Sequence, residues 1–272
     1  MYNTKKFIEL LDIMHKLRAG CPWDKAQTLE SLRYLTIEET YELSDAIINN
    51  DLDEIKKELG DLMLHIVFYA KIGEEKNAFT IDDVLDSINQ KLILRHPHIF
   101  SDTKVENSDD VKANWEAIKL KEKGRKTVLE GVPKSLPATV KAYRIQEKAR
   151  GVGFDWDNAT QVLEKVFEEY RELQKEIKNG GSHERIEAEF GDLMFALINY
   201  ARFINVNPDD ALERTNQRFI KRFNYLEEQT IQKGKSLHDM TLDEMNIYWD
   251  EAKTKENEDG KEPLESKIKN QK

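Results

Sequence analysis

The sequence predicts an all-α protein made of two tandem helical bundles. Apolar residues recur at helical spacing over long stretches such as 160–178 and 184–204, and strand signals are scarce in a chain with only 12 glycines and 6 prolines among 272 residues. The chain also repeats itself at an offset of about 130 residues. IEETYEL (37–43) recurs as FEEYREL (167–173), and ELGDLMLHIVFYA (58–70) as EFGDLMFALINYA (189–201). NQKLILRH (89–96) recurs as NQRFIKRF (216–223), and NWEAIK (114–119) as YWDEAK (248–253). Four blocks in one order define a duplicated unit of about 120 residues.

The elements follow from the breaks. Phe7, Leu10, Leu11, Met14 and Leu17 mark an amphipathic first helix, interrupted by charge and so unlike a signal peptide, which stops at Gly20–Pro22. Cys21, in GCPWDKAQT, suits packing or capping there better than nucleophilic chemistry. The helix carrying IEETYEL ends at Asn49–Asp51, and a turn there folds the helix carrying ELGDLM back antiparallel. Pro97 ends the helix carrying NQKLILRH, and further breaks fall at Gly131–Pro137 and Gly151–Phe154. In the second copy Gly180–Ser182 separates the helices over 160–178 and 184–204, and Pro208 opens the helix carrying NQRFIKRF. This gives about ten helices in domains 1–120 and 137–256, a polar proline-bearing linker 121–136, and a charged, disordered tail 257–272.

Composition narrows the function. With 52 acidic against 42 basic residues the net charge is -10, which argues against nucleic-acid binding through phosphates. No apolar run approaches the ~20 residues that span a bilayer, so no membrane segment is expected. A single cysteine excludes an internal disulfide and a multi-cysteine metal site, in keeping with a reducing cytoplasm.

In so acidic a chain one Glu-Glu-x-x-Glu is expected by chance; its recurrence in both copies carries the information. Glu39 and Glu42 are three apart, as are Glu58 and Asp61, so each pair shares a helix face, and the antiparallel turn can bring all four together. Glu169, Glu172, Glu189 and Asp192 repeat the pattern with a connection one residue longer. Clustered carboxylates repel unless a cation or raised pKa values relieve them. Oxygen-only ligands suit Mg2+ or Mn2+, which also bind phosphate oxygens. Gly60 and Gly191 lie between the acidic positions, where glycine costs about 1 kcal/mol relative to alanine, so close approach by another backbone or a ligand is one reading and helix packing the other. Arg218, Arg222, Lys253 and Lys165 offer charge for a triphosphate, while Trp249 or Trp156 offers a stacking surface for a base.

Three other chemistries fail. A di-iron bundle needs Glu-x-x-His on two helices, and none of the six histidines has Glu three positions earlier. His96 and His98 flank Pro97 like a metal pair, but Phe223 and Tyr225 replace them in the second copy, so a local structural role is expected. Gly234, Lys235 and Ser236 imitate the end of a P-loop, yet Gln229 stands where its first glycine belongs.

The blocks CPWDKAQT, EETYE, ELGDLM, RHPHIF and GFDW, in that order over nearly the whole chain, resemble the MazG family of nucleoside triphosphate pyrophosphohydrolases. The resemblance implies tandem all-α domains, a homodimer, and Mg2+-dependent hydrolysis of NTPs and dNTPs to the monophosphate and pyrophosphate. It puts metal ligands at Glu169, Glu172, Glu189 and Asp192, and at Glu39, Glu42, Glu58 and Asp61. Nucleotide contacts fall on Lys165, Arg185, Arg218, Arg222, Trp249 and Lys253; Arg185 and Arg218 stand where a lysine is common, which keeps the charge and changes the geometry. Glu168 and Glu38, first in each triplet, would accept a proton from the attacking water or orient a neighbouring group. The first copy has Lys91, Arg95, Trp115 and Lys119, but Leu35 and Glu54 where the second has Lys165 and Arg185, so turnover is expected mainly in the second. The alternative is a non-catalytic helical module that binds a nucleotide or regulatory protein.

Overall fold

The computed structural model describes residues 4–101, 111, 114, 118 and 127–259, and all regular structure among them is helical, as expected. The order is α1 (Thr4–Gly20), α2 (Pro22–Ala26), α3 (Leu29–Ile48), α4 (Leu52–Glu75), α5 (Ile81–Arg95), α6 (Pro97–Phe100), α7 (Ala138–Arg150), α8 (Ala159–Lys178), α9 (His183–Phe203), α10 (Pro208–Gln232) and α11 (Leu242–Asp259). Short 3-10 turns lie at Val128–Gly131 and Leu237–Asp239. One compact unit comprises α1–α6 with Arg144–Asp155; the other comprises Leu136–Tyr143 with Trp156 and α8–α11. Trp115, Lys119, linker residues 121–126 and tail residues 260–272 lie outside the described residues, while α11 runs to Asp259, past the start of the segment read as tail.

Local chemistry sets the ends of the central helix pair in the first unit. Thr28 and Ser31 form a capping box at the start of α3, the Ser31 backbone N–H donating to Thr28 Oγ1 at 3.1 Å and the Thr28 N–H to Ser31 Oγ at 2.9 Å. Asn50 takes a left-handed φ of 54°, which asparagine tolerates better than most residues, and Asp51 then caps α4 by accepting from the Asp53 and Glu54 N–H groups at 3.1 Å each. The chain reverses over Asn49–Asp51 and α4 packs back along α3. In the second unit Gly180, at φ 65°, makes the same reversal between α8 and α9.

The first core gathers Met14 of α1, Leu32 of α3 and Val67, Phe68 and Ile72 of α4, with Phe7, Leu10, Leu11 and Leu35 against it. Arg18 closes its edge. Its guanidinium donates to Glu75 from Nε at 3.0 Å and Nη2 at 2.5 Å, and from Nη1 to the Asp24 and Gln27 carbonyls, while lying 5.6 Å from the Phe68 ring centre. The side chain is only 10% exposed, so Arg18→Ala removes charged hydrogen bonds and uncovers the ring. The expected loss is about 2–3 kcal/mol, read as a lower urea midpoint with circular dichroism. Cys21, half-buried just before α2, makes no side-chain capping hydrogen bond, which leaves packing as the sequence expectation that remains for it. His96 Nδ1 lies 2.7 Å from the Leu92 carbonyl at the end of α5, the local structural role expected of it.

In the second unit Val162, Val166 and Leu173 of α8 form one buried stripe facing α9, where Ala196 and Ile198 are buried. Glu169 sits within that stripe, three residues after Val166 and four before Leu173. The carboxylate is therefore built into the core-facing side of the helix.

Candidate functional site

Each antiparallel helix pair draws its carboxylates together. In the first unit Glu39 from α3 and Glu58 and Asp61 from α4 place one oxygen each within 4.8 Å of one another. Glu58 is 4% exposed, and its Oε2 is buried with no hydrogen-bond partner. Burial, then the charges of Glu42 and Glu39, then hydrogen bonds to Glu54 and Glu39, push its pKa from the ordinary 4.5 up to about 7. Glu42 stands outside the tightest group but acts on Glu58 through its charge, and Glu38 is exposed on α3.

The second unit has two overlapping groups. Glu169, Glu189 and Asp192 lie within 4.8 Å of one another across α8 and α9, and Glu168, Glu169 and Glu172 do so along α8. Glu169 is shared by both and is 7% exposed. Burial raises the pKa of Glu189, and the charges of Glu172, Asp192, Glu169 and Glu176 add to the rise. Lys165 answers part of this charge: its Nζ lies 2.8 Å from Glu168 and 2.5 Å from Glu169, and these two bonds raise its own pKa. The cation expected to meet a triphosphate thus already rests on two carboxylates. Leu35 gives the first unit no such counter-charge.

The other expected contacts fall into a second group. Trp249 of α11 packs on Phe219 of α10 with ring centres 5.0 Å apart, and the Arg222 guanidinium lies 5.8 Å from the Trp249 ring centre. Arg218 donates to Thr215 at 2.9 Å, and Lys253 pairs with Asp250 at 2.9 Å, each on its own helix. Arg185 is exposed near the start of α9, and Trp156 is 45% exposed between α7 and α8. The sequence reading took Glu54 only as the counterpart of Arg185, whereas its side chain helps to raise the Glu58 pKa; it missed Glu176, which adds negative charge beside Glu189, and Phe219, which backs Trp249. Glu54 was legible as the residue one turn before Glu58; nothing at sequence level marks Phe219 as its partner.

Gly60 and Gly191 correct one expectation. A Cβ at either meets nothing within 4 Å among the described residues, so packing inside the unit does not require glycine there. Alanine relieves the helix penalty, so Gly191→Ala is expected to raise unfolding stability of the isolated chain by about 0.5–1 kcal/mol. A fall in the denaturant midpoint would show that the added methyl group is not in open space.

Oxygen-only donors on two rigid helices, with a buried carboxylate oxygen lacking a partner, fit a hard divalent cation. The raised Glu58 fixes the sign of a pH effect. A carboxyl that holds its proton more tightly folded than unfolded favours folding at low pH, so that contribution is lost as pH rises from about 4.5 through 7. A divalent cation competes with that proton. Metal-induced stabilisation in differential scanning calorimetry is therefore expected to be larger at pH 8 than at pH 6, and Glu58→Gln to flatten the difference.

Fold and site together define a class: a duplicated all-α protein with a carboxylate centre on the central helix pair of each unit. Residues 27–100 and 158–226 match the MazG nucleotide pyrophosphohydrolase domain. The chain is 40% identical over 254 residues to the nucleoside triphosphate pyrophosphohydrolase of Escherichia coli, covering 91% of this chain and 97% of that one. It is 44% identical over 251 residues to the nucleoside triphosphate pyrophosphohydrolase/pyrophosphatase MazG of Thermotoga maritima, covering 91% and 95%. It is also 46% identical over 255 residues to YabN of Bacillus subtilis, covering 92% of this chain and 52% of that longer protein. The chain belongs to the MazG family, and so to the hydrolases.

Proposed function

We propose that the protein is a Mg2+-dependent nucleoside triphosphate pyrophosphohydrolase that cleaves NTPs and dNTPs between the α and β phosphates, giving the monophosphate and pyrophosphate. The observation that carries this is the carboxylate cluster formed across an antiparallel helix pair in both units, in a chain 40% and 44% identical to the Escherichia coli and Thermotoga maritima proteins that bear that activity in their names. Mg2+ suits the oxygen-only ligands, with Mn2+ as its substitute, and when bound it supplies charge neutralisation of phosphate oxygens and a polarised water.

In this reading Glu169, Glu172, Glu189 and Asp192 hold the cation, as do Glu39, Glu42, Glu58 and Asp61 in the first unit. Glu168, half exposed and close to Glu169, accepts the proton of the water that attacks the α-phosphorus; Glu38 is its counterpart. Lys165, Arg185, Arg218, Arg222 and Lys253 neutralise the triphosphate, and Trp249 presents an aromatic surface to the base. Water enters, the P–O bond to the β-phosphate breaks, and pyrophosphate leaves.

A homodimer is part of the reading. Leu59, Met63 and Ile66 on α4 and Phe190, Met194 and Leu197 on α9 are exposed at equivalent repeat positions, and Gly60 and Gly191 leave open space beside them. Sedimentation equilibrium tests it, with a mass near twice 31.8 kDa expected. We also place the protein in the cytoplasm, where triphosphates are made; among the described residues no helix is long and apolar enough to cross a membrane.

Hydrolysis in 18O-labelled water tests the site of attack. The label is expected in the monophosphate alone; label in pyrophosphate would place attack on the β-phosphorus and overturn this function.

A further inference from the structure

We propose that Glu256 is a positioning residue that holds Arg222 and Trp249 in place for the triphosphate. The proposal rests on the functional reading above. Trp249, Ala252 and Glu256 are spaced i, i+3 and i+7 and so share one face of α11. Ala252 on that face is 5% exposed, and its small side chain lets α10 approach. Across the contact, Arg222 donates to the same Glu256 oxygen, Oε2, from Nε at 2.9 Å and from Nη2 at 2.7 Å.

Both side chains are largely covered, at 22% exposed for Arg222 and 17% for Glu256, so the bond is better protected from water than a surface pair. A guanidinium has five N–H donors. Using one N–H of Nε and one of Nη2 on Glu256 leaves three donors, two of them on Nη1, for a phosphate oxygen. The same bond fixes the guanidinium 5.8 Å from the Trp249 ring centre, where the ring in turn packs on Phe219. The same residue types recur in the sequence of the first copy, as Arg95 and Glu122.

Glu256 Oε1 is buried and has no hydrogen-bond partner among the described residues. A carboxylate kept for stability alone gains from satisfying both oxygens, whereas one that orients an arginine needs only the oxygen that meets the fork. Without Glu256, Arg222 swings among its rotamers and meets the triphosphate less often in the binding geometry.

The experiment is a double-mutant cycle in the full chain with ATP and Mg2+, using Glu256→Gln, Glu256→Ala, Arg222→Ala and the double variant Glu256→Ala/Arg222→Ala. Circular dichroism confirms folding, and the near-isosteric Glu256→Gln guards against a misfolded alanine variant. Glu256→Ala is expected to lower kcat/KM by roughly tenfold or more, mainly through KM, with Glu256→Gln intermediate. Adding Glu256→Ala to Arg222→Ala is expected to cost nothing further, since the residue acts through that arginine. Equal losses from Glu256→Ala in both backgrounds would show a merely structural role and overturn the proposal while leaving the function standing. A wild-type protein that releases no pyrophosphate would overturn both.

Discussion

Glu169→Gln is expected to cut pyrophosphate release by at least roughly a hundredfold while leaving helicity unchanged. Glu169 is the one residue common to both carboxylate groups of the second unit, lies buried between Val166 and Leu173, and is the closer of Lys165's two acidic partners. Glutamine keeps the volume that fills the stripe but loses the negative charge that holds a cation and pairs with Lys165. The variant is therefore expected to fold, as circular dichroism reports, and to bind Mg2+ more weakly, as titration calorimetry reports. Near-normal turnover would place the chemistry elsewhere.

The second large effect is an asymmetry between the units. In the first, Leu35 stands in place of Lys165 and Glu54 in place of Arg185, so two positive charges beside the carboxylates are absent. Glu54 instead adds an acidic group that hydrogen-bonds Glu58, though Lys57 offsets it at 2.5 Å. In the proposed reading the first centre would still hold a cation but meet a tetra-anionic triphosphate with more negative charge and fewer donors. Losing even one charged phosphate contact lowers kcat/KM by roughly tenfold. Glu172→Gln is therefore expected to remove most hydrolysis and Glu42→Gln to leave most of it, with both variants checked for helicity. The reverse pattern would assign turnover to the first unit.

Much of the site was legible because helical spacing is short-range. The three-residue separations of Glu39 from Glu42 and Glu58 from Asp61 put each pair on one face, and Asn50 with its left-handed φ supplies the reversal that brings the pairs together. Repetition in the second copy separated this pattern from the acidic background of the chain. What escaped the sequence depends on where helices touch. Arg222 and Glu256 are 34 residues apart and meet only because α11 lies on α10, so no local period links them. The Lys165 spacing to Glu168 and Glu169 was visible, but its choice of those carboxylates follows from how strongly the buried cluster attracts a cation. The glycines were readable as special and not as to why, since open space beside Gly60 and Gly191 is a property of packing.

The most direct measurement of the central claim is product analysis by ion-exchange chromatography for a panel of NTPs and dNTPs, in Mg2+ and in EDTA. Monophosphate and pyrophosphate are expected in equal amounts in Mg2+, with no turnover in chelator and recovery when Mg2+ or Mn2+ is restored. Stepwise release of inorganic phosphate, or full activity in EDTA, would contradict a carboxylate-held cation directing cleavage between the α and β phosphates.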